Sequence, residues 1–168
     1  MRYLDRTDAR ILLALDEDPA ATTLSLSRSL RLARNTVHAR LRRLEADGVL
    51  APPSRRVDPA ALGRPLLAFA TMQIAQGNLD ETLDGLRGIP EILELVATTG
   101  DGDLLARVVA RDPEDLHHIT RRMLGVPGVV RTSTVMAMRM LLPHRTAPLL
   151  RDELKAGEDG EFLPRSAR

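Results

Sequence analysis

Between Asp18 and Glu45 the chain runs Pro19-Ala20-Ala21-Thr22-Thr23-Leu24-Ser25-Leu26-Ser27-Arg28-Ser29-Leu30-Arg31-Leu32-Ala33-Arg34-Asn35-Thr36-Val37-His38-Ala39-Arg40-Leu41-Arg42-Arg43-Leu44, with six arginines and no acidic residue. Thr22 or Thr23 can cap a helix carrying Leu26 and Leu30 four apart. After Leu32 another helix follows, with Val37, Leu41 and Leu44 at i, i+4 and i+7. At 100° per residue these three fall in a stripe about 60° wide, Asn35, Ala39 and Arg42 point the opposite way, and Thr36, Arg40 and Arg43 lie along one flank. Two short helices sharing an apolar stripe and presenting a basic outer face make a helix-turn-helix that seeks phosphate. Lone basic runs are common on solvated faces, but here the apolar pattern fixes both helices, which favours binding over mere solvation.

Reading outward, Asp5 is placed as the N-cap of a first helix, and Asp8 three residues on suits the positive end of its dipole. Leu4, Ile11, Leu12 and Leu15 mark one apolar face, and Asp16 to Pro19 end the helix. Downstream, Gly48 fits the C′ position of the arginine-bearing helix and Val49-Leu50 begins an extended piece. Pro52-Pro53 breaks it and puts Arg55 and Arg56 on a short wing. Asp58 to Gly63 reads as a helical turn or linker. Residues 1–64 carry 12 basic against 8 acidic residues, and residues 65–168 carry 12 against 15, so the halves are suited to different work.

The acidic half holds a weak internal repeat. Leu-Arg-Gly-Ile-Pro-Glu-Ile (Leu86 to Ile92) and Leu-Gly-Val-Pro-Gly-Val-Val (Leu124 to Val130) each lead into an apolar strand and each follow a helix. Strands are predicted at Leu66 to Ala75, Leu93 to Thr99, Leu104 to Ala110 and Val129 to Leu142. Asn78 with Glu81 forms a capping box for a helix with Leu79, Leu83 and Leu86 on one face. Asp112-Pro113 opens another with Leu116, Ile119 and Met123 inward. Strand, helix, strand, strand, helix, strand is the ferredoxin-like split βαβ order. The first and fourth strands are apolar on both faces, and one face has no helix to cover it, which implies a dimer formed through the sheet.

With 168 residues, 43% of them apolar and 28% charged, the chain has the composition of a globular protein of one ordinary domain or two small ones. The longest uncharged stretch, Pro65 to Leu79, is too polar to cross a bilayer, and the amino terminus has no apolar signal core, so a cytoplasmic protein is expected. The lack of cysteine excludes disulfides, thiolate metal sites and cysteine nucleophiles. Tyr3, Phe69 and Phe162 are the only aromatic residues, which disfavours recognition of single strands by base stacking. His117 and His118 are adjacent on a helix and cannot chelate one metal together; no cofactor, metal or catalytic residue is expected.

In this order and spacing the chain resembles the leucine-responsive regulatory protein/AsnC family of bacterial and archaeal transcription regulators. Leu4-Asp5-Arg6-Thr7-Asp8-Ala9-Arg10-Ile11-Leu12 is similar to the family's first-helix signature, and Val37 to Leu50 to its recognition helix and following strand. Asp58-Pro59-Ala60-Ala61-Leu62-Gly63 is similar to its linker, and Thr99-Gly100-Asp101-Gly102-Asp103 to the Gly-x-x-Asp loop of its effector domain. Two departures sit in the helix-turn-helix turn, where members usually have Gly and then Ser or Thr near Arg31 and Ala33.

The resulting expectation is an α+β protein: a winged helix-turn-helix on 1–50, wing and linker on 51–64, a ferredoxin-like βαββαβ domain on 65–142 for ligand binding and oligomerisation, and a polar tail on 143–168 with a short helix around Leu149 to Leu154. Arg34, Asn35, Thr36, Ala39, Arg40, Arg42 and Arg43 are candidates for contact with double-stranded DNA, and Arg55 and Arg56 reach backbone or minor groove or are merely solvated. In the loop, glycines can expose backbone N–H groups to a carboxylate while Asp101 or Asp103 pairs with an ammonium, which suits an amino acid; a plain hairpin turn is the alternative. The resemblance implies an amino-acid effector, places it at this loop between dimers, adds Thr132 and Thr134 as contacts, and implies a tetramer or octamer of dimeric units. Rival readings are an enzyme like the sirohaem decarboxylases, which share the architecture and would use histidines such as His117, His118 or His144, and a small-molecule sensor that does not bind DNA.

Overall fold

The computed structural model describes residues 4–51, 57–75, 77 and 79–156, which divide into two compact units, one from 1–54 with 143–168 and one from 55–142. In the first unit α1 (Arg6–Glu17) begins at Asp5, whose side chain accepts from the N–H groups of Thr7 and Asp8 while the Asp8 side chain accepts from the Asp5 N–H. This reciprocal cap satisfies three otherwise orphaned donors. The Thr22 hydroxyl accepts from the Ser25 N–H to open α2 (Thr23–Leu30). α3 (Arg34–Ala46) starts at Ala33, which has no side chain to cap it. Ala9, Ile11, Leu26, Val37 and Leu44 close the core of the three helices.

Between α2 and α3, Arg31 takes a left-handed conformation with φ 55, the one such non-glycine residue among those described. The backbone needs the sharp turn there, and an arginine supplies it at a cost of about 1 kcal/mol or more. The extended piece expected to begin at Val49-Leu50 is instead a turn, in which Val49 and Leu50 both return their N–H groups to the Leu44 carbonyl. Pro52 to Arg56, including Arg55 and Arg56, lie outside the described residues.

The carboxyl-terminal segment is also more structured than expected. α6 (Ala147–Ala156) packs against α1 with Ala147 buried and Leu150 and Leu154 half-buried on one stripe. Apolar positions at i, i+3 and i+7 are enough for a helix this short, although charged neighbours dilute the signal.

The second unit opens with a 3-10 turn (Pro59–Leu62), capped by the Asp58 side chain. β1 (Leu66–Ile74), α4 (Leu79–Arg87), β2 (Ile92–Ala97), β3 (Leu104–Ala110), α5 (Pro113–Leu124) and β4 (Val129–Met136) follow. The sheet order is β2-β3-β1-β4, antiparallel throughout. Ala68, Ala70, Met72, Ala106, Val108, Leu86, Ile119 and Met123 are sealed between the sheet and its helices. In α4 the expected inward Leu79 is exposed, while Thr82 is buried with its hydroxyl donating to the Pro127 carbonyl; Asn78, the expected cap, lies outside the described residues. β4 ends at Met136, short of the predicted Leu142, because its antiparallel partner β1 begins at Leu66 and the last cross-strand bond runs from Ala137 N–H to the Leu67 carbonyl.

Candidate DNA interface and effector site

Burial of Val37 and Leu44 turns the opposite side of α3 outward, and Arg34, Asn35, Thr36, Ala39 and Arg42 are all exposed. Asn35, Thr36, Ala39, Arg40 and Arg43 line a shallow groove of about 480 Å³. A short residue, Ala39, flanked by an amide and a hydroxyl leaves space for a base edge, and among the described residues no acidic side chain lines the groove. Among the described residues the side chains of Arg34, Asn35, Thr36 and Arg42 have no protein partner, so their donors are available to a ligand.

Arg40 and Arg43, also expected as DNA contacts, line the groove but are engaged in ion pairs. Arg40 pairs with Asp5 and, at 2.9 Å, with Asp8, and Arg43 pairs with Asp8. The Asp8 side chain is fully buried. Two carboxylates at the amino end of α1 therefore hold two guanidinium groups of α3. Burial pushes the Asp5 carboxyl up, but hydrogen bonds from Arg40 and from the Asp8 and Thr7 N–H groups outweigh it and leave the carboxyl below its usual range.

In the second unit the odd-numbered residues of β1 face away from the helices, and the cross-strand register continues that face through Phe69↔Val135, Thr71↔Ser133 and Gln73↔Arg131. Thr71, Gln73, Arg131, Ser133 and Asp101 line a cavity of about 460 Å³. The loop 98–103 is fixed by the Thr98 hydroxyl donating to the Gly102 carbonyl at 2.7 Å and by the Gln73 amide donating to the Asp101 carbonyl at 2.7 Å. Gly102 is buried so close to β1 that an added Cβ would stand 2.1 Å from Thr71 Cγ2. Gly100, at φ +109, makes the turn in a conformation side chains rarely adopt.

The two candidate acids separate. The Asp103 carboxylate accepts from the Ile74 N–H at 2.8 Å, tying the loop to β1 where the register shifts between Gln73 and Ile74. Asp101 lines the cavity, and neither its carboxylate nor the Arg131 guanidinium has a protein partner among the described residues. Thr99 and Gly100 are exposed on the loop and do not line the cavity. Thr132 and Thr134 pair with Met72 and Ala70 on the helix-covered face, and the Thr134 hydroxyl lies 3.3 Å from that of Thr120 in α5. The period of two thus gives the cavity to Arg131 and Ser133, and that alternation was the signal in the sequence that could have selected them.

The same open face carries Leu67, Phe69, Leu105, Val96 and Val135 around Arg107, whose register neighbours are Phe69 and Glu94. Val96 and Val135 are 46% and 62% exposed. Among the described residues no three His, Asp or Glu side chains are grouped to hold a metal, and no helix is long and apolar enough to cross a membrane.

A DNA-reading three-helix unit joined to a ferredoxin-like sheet with a charged cavity defines a two-domain transcription regulator. Family patterns agree: the Lrp/AsnC ligand-binding domain matches residues 67–147 and a winged helix-turn-helix DNA-binding domain matches 4–51. The chain is 32% identical over 136 residues to the HTH-type transcriptional regulator FL11 of Pyrococcus horikoshii, covering 81% of this chain and 90% of that one. It is 35% identical over 118 residues to the HTH-type transcriptional regulator AldR of Mycolicibacterium smegmatis, covering 68% and 69%. A transcriptional regulator from Neisseria meningitidis, solved as a complex with L-Met, superposes with a TM-score of 0.78 at 26% identity over 86% of this chain and 96% of that one. E. coli AsnC shares the fold, with a TM-score of 0.77 at 21% identity over 88% and 100%. This chain belongs to the Lrp/AsnC family of transcriptional regulators.

Proposed function

We propose that this regulator binds specific duplex DNA as a dimer or larger homo-oligomer, and that a small zwitterion, an amino acid, alters its DNA affinity or its assembly. The observation that carries the effector reading is the pair of unpartnered opposite charges, Asp101 and Arg131, on one cavity beside a loop with a glycine turn. A carboxylate suits Arg131, an ammonium suits Asp101, and Thr71, Gln73 and Ser133 add neutral hydrogen-bonding groups. The Neisseria relative solved with L-Met supports the same ligand class.

DNA is read by the exposed face of α3, with Asn35, Thr36 and Ala39 toward base edges and Arg34 and Arg42 toward phosphate or guanine. Arg55 and Arg56 add backbone contacts from the segment after α3. Dimerisation through the open sheet covers Phe69, Val96 and Val135 and spaces two reading heads for half-sites about 34 Å apart or a multiple of it.

Calorimetric titration of the full chain with each of the twenty amino acids tests the effector site. At least one is expected to bind, and Arg131→Gln and Asp101→Asn are each expected to weaken it by 10-fold or more, as for loss of a hydrogen bond to a charged group. No heat from any amino acid, or binding indifferent to both substitutions, would overturn this assignment.

A further inference from the structure

The ion pairs between α1 and α3 lie beside the groove of the reading head. Arg40 and Arg43 line the α3 groove, yet each commits a terminal nitrogen to carboxylate, Arg40 Nη1 to Asp5 and Asp8 and Arg43 Nη2 to Asp8, which offsets the charge they would offer a phosphate. Arg40 reaches both carboxylates, Asp8 receives both arginines, and Asp5 and Asp8 cap α1 against each other. The result is one network spanning the first turn of α1 and two successive turns of α3. A network of this kind fixes a helix in rotation and translation, because a slip by one residue would turn Arg40 and Arg43 away by 100° and leave the buried Asp8 carboxylate with the Asp5 N–H but no cation to balance its charge.

We propose that Asp5 and Asp8 set the reading geometry of α3 by holding Arg40 and Arg43, which makes these arginines positioning residues and not phosphate contacts. The network places Asn35, Thr36 and Ala39, which share the groove with the two arginines, at the angle where base edges are reached. The inference rests on α3 being the DNA-reading helix. It differs from a purely stabilising role in predicting a loss of sequence discrimination by a folded protein.

Asp5→Asn is a clean probe, since asparagine caps a helix as well as aspartate and only the charge facing Arg40 is removed. Arg40→Gln is the complementary variant. Each full-length protein is assayed by fluorescence anisotropy, over a range of salt, against a duplex that the parent chain selects from a random pool and against a random duplex of equal length, with circular dichroism recording the fold. The ratio of the two affinities is expected to fall about tenfold in both variants, and the salt slope of Arg40→Gln on random duplex is expected to match the parent. Asp5→Glu, which keeps the charge, is expected to recover part of the lost ratio. A slope shallower by about 0.9 in Arg40→Gln would mark a lost phosphate contact and overturn the proposal, as would an unchanged ratio in Asp5→Asn. A parent chain that selects no duplex would instead sink the assignment of α3 as the reading helix and take this inference with it.

Discussion

Arg31 and Ala33 show what single positions in the turn cost this protein. Arg31 holds a positive φ that glycine adopts freely, and Ala33 offers no oxygen to the first N–H groups of α3. Arg31→Gly and Ala33→Ser are each expected to stabilise the helix-turn-helix unit by about 1 kcal/mol, read as a higher urea midpoint with an unchanged slope; a lower midpoint for either would contradict the account. Both positions were legible as departures from the family's turn, and the missing cap at Ala33 with them, whereas the positive φ of Arg31 is a finding of the structure. The caps at Asp5, Thr22 and Asp112 were legible for the same reason, each bonding N–H groups within three residues. The pairing of Arg40 and Arg43 with Asp5 and Asp8 was not legible, because a rotational pattern on one helix shows which way a side chain points and not what another helix brings there. For the same reason the bond from the Ile74 N–H to Asp103 was not legible: that N–H becomes available only at a bulge formed by strand pairing.

At the scale of elements, α5 and α6 carry testable charge and packing arguments. Asp115, in the first turn of α5, receives hydrogen bonds from the Arg111 guanidinium and N–H, which lower its carboxyl to about 2. Its value in an unfolded chain is about 3.9, so the folded state holds the proton less tightly. The stabilisation is therefore present above about pH 4 and lost as pH falls toward 2. The thermal midpoint is expected to drop across that window, and Asp115→Asn is expected to flatten the drop; an equally steep profile would contradict the pairing. Removing 147–168 takes α6 off α1 and is expected to lower the stability of the first unit by about 2 kcal/mol, from the partial burial of two leucines and the full burial of Ala147. Unfolding followed by helical circular dichroism measures it, and an unchanged midpoint would show that the contact contributes nothing. Secondary structure was legible where periodicity was strong, as in β3, which spans Leu104–Ala110 as predicted. The ends of β4 and of β2 depend on where a partner strand stops, which no single segment records.

For the whole molecule, the open face of the sheet is the surface through which the proposed dimer would form. Strands apolar on both faces were visible in the sequence, and the structure places that second apolar face opposite the helices, with Val135 exposed next to Phe69. Val135→Glu is expected to convert the proposed dimer to a monomer in sedimentation velocity without lowering core packing, since this side chain is outside the core; an intact dimer would move the interface elsewhere. The central claim is that a zwitterion at Asp101 and Arg131 and DNA at α3 act on one equilibrium. Linkage makes the coupling reciprocal: whatever factor the effector imposes on DNA affinity, DNA must impose on effector affinity. The decisive measurement is the dissociation constant of a selected duplex determined across an amino-acid titration, paired with effector affinity for the free and DNA-bound protein. The account predicts that at least one amino acid shifts both constants by the same factor in the parent chain and by a much smaller one in Arg131→Gln. A duplex affinity identical with and without every amino acid would contradict it.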